Sequence, residues 1–155
     1  MANSGLRQGE VTTELPKRDY DAGLWFIGRI RTPWTSRAEC PRQGDSTDGP
    51  LCRIELDAEW LPALDGVERH ERLQILYWMH EGRRDLIRQS PRSDGSTAGT
   101  FSLRSPLRPN PVASSLVALI SIEGRVLVVR GLDCVDGTPL IDIKPEHKPG
   151  KPPCP

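Results

Sequence analysis

A chain of 155 residues carrying 21 basic and 21 acidic side chains has no net field to gather a polyanion, so any nucleic-acid contact has to come from a local patch. The length fits one domain able to bury its own core, and 14 glycines with 15 prolines favour turns and short strands over long helices. No apolar run approaches the roughly 18 residues of a membrane span and Met1 to Gly5 lacks the regions of a signal peptide, so a cytoplasmic protein with no membrane partner is expected.

Residues 1–22 are polar and aperiodic and read as a separate, mobile or partner-bound N-terminal segment. The run Leu24 to Arg31 predicts the first strand, which Thr32-Pro33-Trp34 stops. A long loop follows, holding Arg37, Pro41, Arg42, Gln43, Gly44 and Gly49, and then a second strand over Cys52 to Asp57. Ala58 to Asp65 predicts one or two helical turns, kept short by Pro62 and Gly66. Leu73 to His80 is nearly continuous in apolar residues, which predicts a strand covered on both faces at the centre of the core.

From Glu81 to Gly99 the composition turns to Arg, Ser, Asp, Gly and Pro and predicts another long loop, in which Arg83, Arg84, Arg88 and Arg92 form the one basic patch. Arg104-Ser105-Pro106-Leu107-Arg108-Pro109-Asn110-Pro111 is a proline-stiffened loop, since each proline fixes φ and removes an amide donor. Its rigidity points to a site rather than to packing. Ser115 to Ile122 and Arg125 to Arg130, joined at Glu123-Gly124, carry the strongest hairpin signal in the chain. The polar turn Asp136-Gly137-Thr138 leads to a last strand at Pro139 to Ile143, and 147–155 is a proline-rich tail. The expected fold is all-β dominated, a small antiparallel β-barrel over residues 23–146 with long loops and at most short helices.

The common catalytic patterns are missing: there is no G-x-S-x-G, H-E-x-x-H, P-loop or G-x-G-x-x-G after a strand. His70, His80 and His147 are far apart, and Cys40, Cys52, Cys134 and Cys154 show no C-x-x-C spacing, so no metal site is expected and the thiols read as isolated and reduced. Polar residues instead gather at strand ends and in the stiff loops, at Arg42, Gln43, His80, Glu81, Arg104, Arg108, Asn110, Asp136, Thr138, Asp142 and Lys144. Arginine forks bind carboxylates in two-pronged fashion, and carboxylates with backbone amides grip a ribose or an adenine edge. That set suits a zwitterionic, nucleoside-like ligand.

In order and spacing, Ile27-Gly28-Arg29-Ile30-Arg31-Thr32-Pro33-Trp34, Pro41-Arg42-Gln43, the Arg104 to Pro111 loop, Asp133 and the stretch from Asp136-Gly137-Thr138-Pro139 to Asp142-Ile143-Lys144-Pro145 resemble the TsaA-like family, also called TrmO or YaeB-like. The resemblance covers residues 24 to 145. It implies an S-adenosylmethionine-dependent methyltransferase on a small β-barrel, acting as a homodimer on threonylcarbamoyl-adenosine beside the anticodon of tRNA. It also places Pro41, Arg42, Gln43, His80, Glu81, Arg104, Ser114, Asp136, Gly137, Thr138 and Pro139 at cofactor-contacting positions. From chemistry alone, Arg104 suits the methionine carboxylate, the Asp136 to Thr138 backbone suits the nucleoside, and Arg108, Asn110 and Asp142 are candidates on the acceptor side as the catalytic set.

The chain departs from the family where P-N-P-I-G-L-S becomes Pro111-Val112-Ala113-Ser114-Ser115 and where the aromatic after I-K-P becomes Glu146. A glycine held at positive φ would leave Ala113 strained. Two alternatives therefore stand beside the methyltransferase: a cofactor-binding barrel with altered or lost catalysis or a different small acceptor, and a barrel whose polar loops meet a protein.

Overall fold

The computed structural model describes residues 5–150, and within them the chain forms two compact units, residues 24–78 with 114–150 and residues 5–23 with 79–113. The first is a closed antiparallel barrel of β2 (Gly28–Arg31), β3 (Cys52–Leu56), β4 (Arg72–Trp78), β7 (Val112–Glu123), β8 (Val126–Arg130) and β9 (Thr138–Pro145), in the order β2, β3, β8, β7, β4, β9. The second carries a three-stranded sheet of β1 (Val11–Thr12), β5 (Leu86–Gln89) and β6 (Ala98–Gly99), with β5 in the middle.

Alternation builds the barrel. In β3 the side chains of Cys52, Ile54 and Leu56 are buried while Arg53 is exposed, and in β4 Leu73, Ile75 and Tyr77 point inward while Arg72 and Gln74 face out. These meet Ile30, Val117, Leu127, Val129 and Leu140 in the core. Fully closed strands leave no edge to pair with another chain. Truncating a core member such as Ile75 to alanine would cost about 2–5 kcal/mol.

The β7–β8 hairpin follows its sequence signal closely. Glu123 pairs with Val126, so the two-residue turn is Gly124-Arg125, one residue later than expected, and Gly124 takes the φ of +63° that favours glycine there. A register shift between Leu119 and Ser121 marks a bulge that bends the long strand. The short helical stretch is present as two 3-10 segments, Ala58–Leu64 and Val67–Arg69.

Several expectations need correction. The first barrel strand starts only at Gly28, and Leu24, Trp25 and Phe26 are exposed, with the Trp25 ring 6.3 Å from Trp60 and the Phe26 ring 6.3 Å from Trp78. Aromatic packing, not ladder pairing, fixes that segment. β4 is covered on one face rather than two, because its neighbours close a barrel and leave the outer side to solvent. The stretch from Glu81 to Gly99 is not a continuous loop: it contains β5 and β6, and β5 also pairs with β1, which lies in the N-terminal segment that reads as aperiodic. The Thr13 amide also donates to the Asp85 carbonyl at 2.8 Å, so that part of the segment is built into a sheet.

The last strand runs Thr138–Pro145, longer than expected, and takes in two prolines. Pro139 lies beyond Leu140, the last residue of β9 paired with β4, so its missing donor falls past the end of that ladder. Ala113 lies in β7 and has no positive φ, so the departure from glycine costs no backbone strain. Of the proline-rich tail, Lys151 to Pro155, including Cys154, lies outside the described residues, as does Met1 to Ser4.

Candidate functional site

In the barrel unit, the turn between β8 and β9 is held by its own backbone. The Asp136 amide donates to Trp34 O at 2.7 Å, the Gly137 amide to Ile30 O at 2.8 Å and the Thr138 amide to Val135 O at 3.3 Å. Asp136 Oδ1 accepts from the Thr32 amide at 3.1 Å, and its Oδ2 lies 3.7 Å from Arg31 Nη1. Thr138 is buried, and its hydroxyl donates to Val135 O at 2.7 Å. These amides are engaged within the fold, and the half-exposed Asp136 carboxylate and the carbonyls are what else the turn can offer.

The Pro41-Arg42-Gln43 loop is brought to the same end of the barrel by Gly44. A Cβ built on Gly44 would overlap the Gly131 carbonyl, so only glycine permits this approach. Asp45, next in the loop, accepts from the Thr47 and Asp48 amides at 2.9 and 3.0 Å, bonds that hold its carboxyl below the ordinary aspartate value. Pro41, Arg42 and Gln43 themselves are exposed. The sequence motifs Pro41 to Gln43 and Asp133 to Pro139, separated by some 90 residues, thus sit on adjoining backbone.

One polar residue of this unit, Tyr77, was not singled out as a site residue from the sequence. Tyr77, inside the barrel, donates its hydroxyl to Asp133 Oδ1 at 2.6 Å and lies 2.7 Å from Ser115 Oγ. Burial first, then the Asp133 carboxylate, push the phenol far up, so it stays a donor. The one signal in the sequence was a lone hydroxyl within the apolar run Leu73 to Met79. Ser114, on β7, accepts from Gln74 Nε2 at 2.9 Å. Asp142, on β9, engages Lys144 Nζ at 2.8 Å and accepts from the amide of its neighbour Ile143 at 2.9 Å.

The other unit holds His80, Glu81, Arg104, Arg108 and Asn110. His80, Glu81, Arg104 and Asn110 are exposed. Arg108 Nη1 donates to the carbonyls of Leu103 and Ser105, at 2.9 and 3.2 Å, and Asn110 Oδ1 accepts from Arg84 Nη2 at 3.1 Å. Both side chains therefore brace the proline-rich loop. The buried Gln89 adds a bond from Nε2 to Leu107 O at 2.6 Å, and the Pro111 carbonyl accepts from the Met79 amide at 2.8 Å. The basic patch is less free than its composition implies, because Arg83 makes a two-pronged pair with Asp85 at 2.6 and 2.8 Å and Arg88 Nε donates to Thr97 at 2.8 Å.

Among the described residues no cluster of three or more His, Cys, Asp or Glu side chains could hold a metal ion, and no helix is long and apolar enough to cross a membrane. A cleft of about 350 Å³ on the outer barrel wall is lined by Arg29, Glu55, Leu56, Asp57, Arg125 and Val126. None of the site residues expected from the sequence lies in it.

The profile of the tRNA-methyltransferase O N-terminal domain family matches residues 29–148. A probable S-adenosyl-L-methionine-binding protein, VirR of Rhizobium radiobacter, is 52% identical over 98% of this chain and 86% of its own length. A probable S-adenosyl-L-methionine-binding protein of Methanothermobacter thermautotrophicus is 41% identical over 84% of this chain and 93% of its own. The tRNA (adenine(37)-N6)-methyltransferase of Escherichia coli is 34% identical over 77% of this chain and 55% of its own. The crystal structure of TrmO from Pseudomonas aeruginosa superposes with a TM-score of 0.67 at 30% identity, covering 83% of this chain and 57% of that one. The chain thus spans little more than half the length of that methyltransferase and that solved structure.

Proposed function

This chain belongs to the family of the tRNA-methyltransferase O N-terminal domain, and on that premise we propose that it binds S-adenosyl-L-methionine and methylates N6 of adenine-37 in tRNA, the acceptor being the threonylcarbamoylated adenine. The observation that carries the proposal is the close approach of Gly44 to Gly131, which places the Pro41-Arg42-Gln43 loop beside the segment leading to Asp136-Gly137-Thr138-Pro139. Two motifs remote in sequence share one end of a barrel.

The residues present suit the cofactor's chemistry. Arg42 and Arg104 are cations for a carboxylate, and Asp133 and Asp136 are carboxylates for a ribose or an ammonium group. The other positions that the resemblance gives to the cofactor are Pro41, Gln43, Ser114, Gly137, Thr138 and Pro139 in the barrel unit, and, taken by themselves, His80 and Glu81 in the other. Bound S-adenosyl-L-methionine supplies a methyl group on a positively charged sulfur, which leaves as a neutral thioether. The task left to the chain is to position the acceptor nitrogen in line and to take its proton. Arg108 and Asn110, whose side chains brace the loop from Leu103 to Pro109, suit positioning of the acceptor, and Asp142 is the proposed proton acceptor once Lys144 releases it. We further propose a cytoplasmic homodimer, which sedimentation of the purified chain tests.

A second reading is favoured by one observation: the chain spans 86% and 93% of relatives named as S-adenosyl-L-methionine-binding proteins but 55% of the Escherichia coli methyltransferase. It takes the chain as a cofactor-binding barrel that has lost catalysis or serves another small acceptor. Transfer of labelled methyl to tRNA isolated with and without the threonylcarbamoyl group separates the two, beside calorimetry with the cofactor. Transfer only to the modified tRNA supports the first reading. Cofactor binding without transfer to either tRNA supports the second, and no heat at millimolar cofactor overturns both.

A further inference from the structure

In the unit of residues 5–23 and 79–113, Tyr20 is 79% exposed yet held in place. The Arg84 guanidinium carbon lies over its ring, 5.4 Å from the centroid, and Arg84 Nη1 is 3.4 Å from the tyrosine hydroxyl. The same guanidinium donates through Nε to Pro109 O at 2.6 Å and through Nη2 to Asn110 Oδ1 at 3.1 Å. One arginine thus fastens the aromatic ring to the tip of the proline-rich loop. With the cation on one face and most of the ring in solvent, the opposite face is open.

An exposed ring needs no explanation by itself. This one has a positioning device, and the surrounding segment is electrostatically biased: residues 79–113 contain six arginines, at 83, 84, 88, 92, 104 and 108, against Glu81, Asp85 and Asp94. Phe101 in the same segment is 82% exposed. Open aromatic faces interleaved with arginine are the composition that binds unpaired nucleobases, the rings stacking on bases and the cations meeting phosphates.

We propose that Tyr20, fixed by Arg84, is a stacking platform for an unpaired nucleobase of the RNA substrate. The proposal rests on the reading of the chain as acting on tRNA. It names a docking residue outside the motif positions, on a part of the chain that the family profile, which starts at residue 29, does not reach. Stacking is a contact with a base face, so it distinguishes a looped strand from a duplex and leaves salt dependence to the arginines.

The test is fluorescence anisotropy with a labelled anticodon stem-loop RNA and a fully paired duplex of equal length, on the full chain and on Tyr20→Ala, Tyr20→Phe and Tyr20→Trp. Tyr20→Ala is expected to weaken stem-loop binding about tenfold or more. It should also erase the preference over duplex and leave both the salt slope and calorimetric cofactor affinity unchanged. Tyr20→Phe and Tyr20→Trp should bind as the parent does. Equal binding by Tyr20→Ala and the parent overturns the platform, and so does a parent chain that binds neither RNA. Methyl transfer with no dependence on Tyr20 removes the platform and leaves the methyltransferase reading standing. Tyr20-dependent RNA binding without methyl transfer does the reverse.

Discussion

Tyr77 and Asp133 are joined by a 2.6 Å hydrogen bond across 56 residues of sequence, the phenol donating and the carboxylate accepting. Since the phenol has one proton and Asp133 receives it, the Ser115 hydroxyl is the donor in the 2.7 Å contact with Tyr77. Three strand or loop segments of the barrel unit meet at that oxygen.

Tyr77→Phe removes the shared oxygen and leaves both partners to find others. The expected loss is about 1–3 kcal/mol, the range for stranding partly buried polar groups. Urea titration checks it: the midpoint should fall with the slope unchanged, and an unchanged midpoint would refute the role.

Gly44→Ala puts a methyl group into the Gly131 carbonyl. Backbone cannot swing aside as a side chain can, so the loop has to move, at an expected cost of about 1–3 kcal/mol. Cofactor affinity by calorimetry should fall as well, because Arg42 and Gln43 move with it. The equivalent change at Gly124, where nothing lies within 4 Å, should cost stability through its positive φ and leave cofactor affinity alone.

Burial pushes the Cys52 thiol up to about 11 and Cys134 up to about 12. At pH 8 the reactive thiolate is then a fraction on the order of a thousandth or less at either site. In the native protein, alkylation followed by peptide mapping should label Cys40, which is partly exposed, well before these two. Labelling of Cys134 at the rate of Cys40 would contradict the packing.

Glu39 and Asp45 both sit below their ordinary values. The leading causes are the amide and hydroxyl of Thr35 and the amide of Ser36 for Glu39, and the amides of Asp48 and Thr47 for Asp45. A folded value below the unfolded one means stabilisation that is present above the unfolded value and lost as pH falls through the folded one. Melting temperature should therefore hold steady above about pH 5 as far as these groups act, and decline below about pH 4. Asp45→Asn should lower stability at pH 7 and flatten that acid decline; an identical acid limb in the variant would count against the assignment.

Much of the barrel could be read locally. β3 alternates through Cys52, Ile54 and Leu56, and β7 and β8 are β-branched runs around one glycine, so pattern and turn chemistry agree within a few residues. β5 and β6 could not be read that way. They are four and two residues long, β5 buries Leu86 and Gln89 three positions apart rather than in alternation, and it takes its β1 partner from more than 70 residues earlier. Leu24 to Phe26 misled for the opposite reason, since an apolar run carries a strand signal whether its rings enter a core or lie exposed beside rings of other segments, as Trp25 does by Trp60 and Phe26 by Trp78.

The candidate site divides along the same line. Which residue types are present, and the stiffness of Arg104 to Pro111, follow from the sequence because proline geometry and side-chain chemistry are properties of single residues. Which of them are available for a ligand was decided by tertiary structure. The amides of Asp136, Gly137 and Thr138 are consumed by Trp34, Ile30 and Val135, Arg108 is turned onto its own loop, and Arg84 carries Tyr20. A hydrogen bond needs its partner within about 3 Å, and only closure of the chain brings residues tens or a hundred positions apart to that distance.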